Sequence, residues 1–141
     1  MINEEPTVKP IPPGWMMRSH PQTFSAHAGP FYFREEGSVP GVGFFSEPHH
    51  ANLGQVVHGG ALMTLADMAL FDICFRAEGK MFKAVTVTLN AEFLTPAPIG
   101  EFIEASGEVV KSGKRLSFVR GLVVAHEKTI LSFSGSLMRI V

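Results

Sequence analysis

Between Ala84 and Phe93 the chain alternates with a period of two. Val85, Val87, Leu89, Ala91 and Phe93 fall on one side, and Ala84, Thr86, Thr88, Asn90 and Glu92 on the other. That period predicts a strand with one strongly apolar face. From Gly59 to about Glu78 the rhythm changes. Leu62, Leu65, Ala66, Ala69, Leu70, Ile73 and Cys74 recur at spacings of three and four, and β-branched residues are scarce. This predicts a helix that is apolar on more than one side and so must be wrapped by other structure. Gly79 is its natural stop. Pro96, Pro98 and Gly100 end the alternating strand. Further strands are predicted over 102–111, 116–125 and 130–141, with turns at Ser112-Gly113-Lys114 and His126-Glu127-Lys128. Two shorter strands precede the helix. One is Phe31-Tyr32-Phe33 after Gly29-Pro30, the other runs from Val42 to Phe45 after Pro40-Gly41, and together they suit a hairpin.

The pattern changes once, near residue 30. Residues 1–28 form a proline-rich arm punctuated by Pro6, Pro10, Pro12, Pro13, Gly14 and Pro21, in which regular structure should be short. Trp15, Met16, Met17 and Phe24 are the side chains available to pin it to the body. Residues 29–141 carry an α+β layout, most simply an antiparallel sheet curled around one long helix. A chain of 141 residues is one domain's worth, and with 45% hydrophobic residues it is not globally disordered. A domain of that size does not easily cover both faces of a large sheet, which suggests pairing between the sheets of two subunits.

Charge and cysteine content exclude several classes of function. Twelve basic residues against thirteen acidic ones leave a net charge of −1, too balanced for general nucleic-acid binding. The single cysteine, Cys74, forms no internal disulfide and suits a reducing compartment. The first residues lack a cationic, apolar secretory pattern, and no run approaches the roughly 18 apolar residues of a membrane helix. A cytoplasmic, soluble protein without membrane contact is expected.

The segment Asn52-Leu53-Gly54-Gln55-Val56-Val57-His58-Gly59-Gly60 leads into the helix that bears Asp67. Glycines at a helix start allow close approach to the backbone, and the first amides there have no intrahelical acceptor. With the positive end of the helix dipole behind them, such amides suit an oxyanion. A tight strand-to-helix turn accounts for the same glycines equally well. Asp67 sits among apolar neighbours, where burial raises a carboxylate's pKa, so it is either a general base or nucleophile, or a carboxylate that emerges at a surface or accepts bonds from a cap or a neighbouring strand. Asp72, in the same helix, points about 140° away and cannot share that role. His58 and Asn52 could orient a carbonyl or a water. His49-His50 invites a metal reading, but adjacent histidines in a strand face opposite ways and no Cys or carboxylate cluster completes a site, so no metal is expected. Lys111, Lys114 and Arg115 around Gly113 are either a solvated hairpin tip or a phosphate-binding edge.

Taken together, Asn52, His58-Gly59-Gly60, Leu65-Ala66-Asp67, Val85-Thr86-Val87-Thr88-Leu89-Asn90 and Phe93-Leu94-Thr95-Pro96-Ala97 before Gly100 resemble the PaaI-like acyl-CoA thioesterases of the hotdog superfamily. The resemblance runs from about Gly29 to the C-terminus. It implies a hotdog fold in a dimer or dimer of dimers, with active sites at the subunit interface. It implies hydrolysis of an acyl-CoA thioester to a carboxylic acid and free CoA, with no cofactor beyond the CoA of the substrate. Gly59 matches the residue whose amide polarises the thioester carbonyl, and Asp67 the catalytic carboxylate supplied by the other subunit. Asn52 and His58 match residues that position the carbonyl or water, and Thr86 one that helps hold the water. Gly60 adjoins this turn, and Gly113, Lys114 and Arg115 lie where relatives meet the CoA nucleotide. Thr88 stands where many relatives carry Asp. Two rival readings are a non-catalytic acyl-CoA-binding sensor or carrier, and an acyl-thioester hydratase or dehydratase. The acyl group is not specified: Met63, Met68, Phe71 and Phe93 suit a pocket and a core equally.

Overall fold

The computed structural model describes residues 10–35 and 37–141. Its long helix, α2 (Gly59–Glu78), occupies the predicted span. The His58 side chain caps its start by accepting from the Gly60 amide. Its end is set by Gly79, which takes a left-handed conformation (φ 74°) and donates to the Phe75 carbonyl at 2.8 Å. Leu62, Leu65, Ala66, Ala69, Leu70, Ile73 and Cys74 are all buried, and the helix lies against five strands. Those strands belong to one seven-stranded sheet: β1 (Trp15–Met17), β2 (Tyr32–Arg34), β3 (Val42–Phe45), β4 (Ala84–Phe93), β5 (Phe102–Ser112), β6 (Leu116–Ala125) and β7 (Lys128–Arg139). Every neighbouring pair is antiparallel, and the order is β1-β2-β3-β5-β6-β7-β4.

Two features depart from the one-dimensional pattern. The four long strands form one antiparallel run, but β4, first along the chain, lies last in it, paired with β7 at a sheet edge. The proline-bearing connection through Pro96 and Pro98 carries the chain back across the sheet, and Leu94 and Thr95 both donate to the Ile130 carbonyl. The alternation in β4 is also broken. The register with β7 slips between Thr86 and Thr88, a bulge that leaves Val87 without a cross-strand partner. An extra residue flips every later side chain to the other face. Ala84 and Thr86 therefore face the helix before the bulge, and Leu89 and Ala91 face it after, while Val85 and Val87 are 41% and 52% exposed.

The arm contributes two elements too short for periodicity to reveal, β1 and the helix α1 (Phe24–Ala28). Of its candidate anchors only Trp15 packs inward, edge-on to Phe102 at 5.1 Å and beneath the Arg34 guanidinium. Met16, Met17 and Phe24 are exposed.

Gly135 of β7 lies under the helix residue Leu70 and beside the Thr88 backbone of β4. A Cβ there would lie 2.6 Å from the Thr88 carbonyl oxygen and 2.7 Å from Leu70 Cδ1. We expect Gly135→Ala to cost about 1–3 kcal/mol, the usual range for overpacking. Thermal unfolding should show this as a midpoint lower by several degrees; an unchanged midpoint would mean that Leu70 and the Thr88 backbone give way without cost.

Candidate active site

The loop before α2 is tied down at each end. Ala51 bridges Val57, Val56 bridges Pro98, and Val57 donates to the Ala97 carbonyl at 2.9 Å. Asn52 closes the loop on itself: its backbone exchanges bonds with Val56 and Gln55, and its Oδ1 accepts from the Val56 amide at 3.3 Å. Asn52 is exposed, and its side-chain NH₂ makes no hydrogen bond among the described residues. The His58 amide donates to the His50 carbonyl at 2.7 Å, which fixes the helix entry.

At that entry the two glycine amides differ. Gly60 N–H is taken by His58 Nδ1 at 2.8 Å. Gly59 N–H has no acceptor among the described residues and stands at the first position of a 20-residue helix. Because His58 Nδ1 accepts, the neutral ring carries its proton on Nε2, where it is available to a ligand oxygen. The Phe93 ring closes on Gly59, and a Cβ at Gly59 would lie 3.2 Å from Phe93 Cε1.

Asp67 lies eight residues further along α2, half-buried. Thr86 Oγ1 donates to its Oδ1 at 2.7 Å across the helix–sheet contact, reached through the inward phase that precedes the β4 bulge. The second oxygen, Oδ2, makes no hydrogen bond among the described residues. Thr88, one step past the bulge, is turned away to Ser136, with the hydroxyls 2.7 Å apart. The structure thus brings Asp67 together with Thr86, and His58 with Gly59 and Gly60. The two groups remain separate within one chain, about 12 Å apart along the helix at roughly 1.5 Å per residue.

Asp72 belongs to neither group. It is buried on the opposite side of α2, where its Oδ2 accepts from the Gly41 amide at 2.8 Å and its Oδ1 from Arg76 Nε at 3.3 Å. Arg76 also donates to the Gly37 and Arg34 carbonyls, so the pair fastens the β2–β3 hairpin to the helix. Burial pushes the Asp72 carboxyl above the usual range and outweighs the downward pull of the Gly41 amide and the Arg76 charge. Cys74 is buried, and burial raises its thiol as well.

His49 and His50 do not sit in a strand, and the expectation that their rings diverge is corrected here. They end a 3₁₀ turn (Pro48–His50), their rings are 3.8 Å apart, and both face the end of the arm. His49 Nε2 bonds the Gly29 carbonyl at 3.0 Å and His50 Nε2 the Ala28 carbonyl at 2.6 Å, while His50 Nδ1 accepts from the Glu47 amide. These rings are structural clips. Burial holds His50 below the ordinary histidine range, against the upward pull of the Ala28 carbonyl. The unfolded chain takes up a proton near pH 6.5 while the folded ring resists it, so folding stability should fall as pH drops below about 6.5. Denaturation midpoints at pH 7.5 and 5.5 check this. His50→Gln should remove part of the difference; an equal difference in the variant would clear His50 of the effect.

Lys111, Lys114 and Arg115 all lie exposed at the β5–β6 tip, with no acidic partner among the described residues. The tip closes through the Gly113 amide on the Leu116 carbonyl, and the Arg115 carbonyl accepts from the Arg139 amide. Among the described residues no group of three or more His, Cys, Asp or Glu side chains is placed to hold a metal, and no helix is long and apolar enough to cross a membrane.

This architecture has known counterparts. The E. coli PaaI protein of the phenylacetic acid degradation operon superposes with a TM-score of 0.74 at 25% identity, over 85% of this chain and 86% of that one. Residues 54–131 match the Thioesterase superfamily. The fold is the hotdog, with an open sheet around its central helix, and the chain belongs to the thioesterase superfamily. A Pseudomonas aeruginosa protein provisionally named an esterase is 33% identical over 109 residues, 76% of this chain and 81% of its own. Human acyl-coenzyme A thioesterase 13 is 37% identical over 76 residues, 51% of each chain.

Proposed function

We propose that the protein hydrolyses an acyl-CoA thioester to a carboxylic acid and free CoA, in a site built from two copies of the chain. The observation that carries the reading is the pairing of two half-sites on one helix: an unpaired Gly59 amide at its start, and a Thr86-held carboxylate at Asp67. Family membership and the name of the human relative support thioester chemistry and an acyl-CoA substrate.

Each half-site has what the other lacks. The Gly59 amide, backed by the helix dipole, suits the oxygen on which charge develops, and a single such donor is worth about 10²–10³ in rate. In this reading His58 Nε2–H and the Asn52 NH₂ orient that oxygen. Asp67 takes a proton from water as general base, or attacks the carbonyl itself; Thr86 holds one carboxylate oxygen so that the other faces the reacting group. A reacting carbon must lie within hydrogen-bond reach of both groups, and a separation of about 12 Å along one helix forbids this within a chain. The open β4 edge, with Val85 and Val87 beside Phe93 and Leu94 all exposed, is the surface on which a second copy joins. Lys114 and Arg115 beside Gly113 meet the CoA phosphates.

The test is thiol release from a panel of aliphatic and aromatic acyl-CoAs. Release with at least one acyl group supports the reading. Binding without release across the panel would make the protein a carrier, and a hydrated or dehydrated product would make it a lyase.

A further inference from the structure

A cleft of about 650 Å³ separates α2 from the arm, with Thr23 and Ser25 lining it on one side and Met68, Phe71 and Phe75 on the other. The arm's hold on the body is slight there. Helix α1 has five residues, too few to be stable as an isolated helix, and none of them is buried. Its last residue, Ala28, reaches the edge of the core. From Ser19 to His27 every hydrogen bond among the described residues stays within the segment. The next bonds to the body are those of His50 Nε2 to the Ala28 carbonyl and His49 Nε2 to the Gly29 carbonyl, and they close the far end of the segment. We propose that this part of the arm is a lid over the cleft, latched by the two histidines and opened by acid.

The latch works only while His50 is neutral, because both of its ring nitrogens are engaged. Nε2–H donates to the Ala28 carbonyl, and Nδ1 accepts from the Glu47 amide at 2.9 Å. A proton on Nδ1 sets N–H against N–H, so the charged ring must turn, and turning releases Ala28. The charged groups that face His50 are His49, whose ring lies 3.8 Å away and opposes a second positive charge, and Glu47, which favours one. Phe44, the β3 ring at 4.6 Å, brings no charge. Burial opposes the charge more strongly than any of these, and the closed ring stays below the ordinary histidine range. Once the lid opens, His50 meets water and takes up its proton near pH 6.5. The open form therefore binds the proton more tightly, and its share rises as pH falls through about 6.5. Between pH 7.5 and 5.5 one such group changes the extent of opening by up to about tenfold. The opening is local, since the strands behind the helix keep their pairing.

Hydrogen exchange of the full chain at pH 7.5 and 5.5, corrected for the intrinsic effect of pH on exchange, tests the lid, and circular dichroism reports the overall fold. In the wild type, amides 19–29 should lose protection by about three- to tenfold at pH 5.5 while β6 and β7 keep theirs. His50→Gln keeps a donor near the place of Nε2 but takes up no proton, and its arm should change by less than about twofold between the two pH values. His27→Gln, at an exposed arm position outside the latch, should behave as the wild type does. Arm protection that is equal at the two pH values overturns the lid. So does a loss shared by β6 and β7, which is global unfolding. The trigger is overturned by a His50→Gln arm as labile in acid as the wild type's, or by a His27→Gln arm that no longer responds to acid. The wild-type and His27→Gln results decide the question on their own if His50→Gln does not fold.

Discussion

Asp67→Asn should lower the rate of thiol release from a good acyl-CoA substrate by about 10²- to 10⁴-fold, the usual worth of a positioned general base. The argument is one of shape held constant. Asn has the volume of Asp, and its side-chain oxygen still accepts from Thr86 Oγ1, so the helix–strand contact and the fold survive. What disappears is the negative charge and with it both the proton acceptance and the nucleophilicity of the carboxylate. The loss should fall on kcat more than on KM, because substrate contacts are untouched. Thr86→Val gives the complementary reading. It keeps the shape of β4 but removes the donor that orients Asp67, and a hydrogen bond to a charged group is worth roughly 1.5–3 kcal/mol, so a loss of about tenfold or more is expected. A parent rate in Asp67→Asn would remove this carboxylate from the chemistry, whatever the fold.

The same contact shows what a one-dimensional pattern can and cannot carry. Helix α2 was legible to its ends because a 20-residue periodic run with a glycine at its stop leaves few alternatives. The strand limits of β4 and β6 were legible for the same kind of reason. The meeting of Asp67 with Thr86 was not, because it depends on which sheet edge β4 occupies and on where its bulge falls. Perfect alternation from 84 to 93 put Val85, Val87 and Leu89 on one face; the register slip after Thr86 divides them, so that the threonine reaches the helix and two valines are left outside. No residue type marks that slip in advance. The two histidines before the loop were misplaced by a related error: a 3₁₀ turn of three residues has no periodic signal, so the strand geometry assumed for them put their rings on opposite sides. In both cases the pattern gave the elements, and tertiary pairing decided where their side chains point.

The second large effect concerns the origin of the two half-sites. Asp67→Asn keeps an intact Gly59 amide. Gly59→Val keeps an intact Asp67 but places a branched side chain at the first helical position, against Phe93 and over the amide itself. Each variant alone should release thiol at a small fraction of the wild-type rate, with the Gly59→Val fold checked by thermal unfolding. Co-refolded in equal amounts, they should recover about a quarter of wild-type activity. Half of the dimers are then mixed, and a mixed dimer of twofold symmetry holds one site with both changes and one with neither. No single-chain site produces this result, since every chain in the mixture carries a defect. Activity that stays at the level of the separate variants, with mixed dimers present, would place Gly59 and Asp67 in unconnected roles. Recovery would mean that a second copy brings its helix start within reach of the carboxylate held by Thr86, so that dimerisation is a step in assembling the catalytic site.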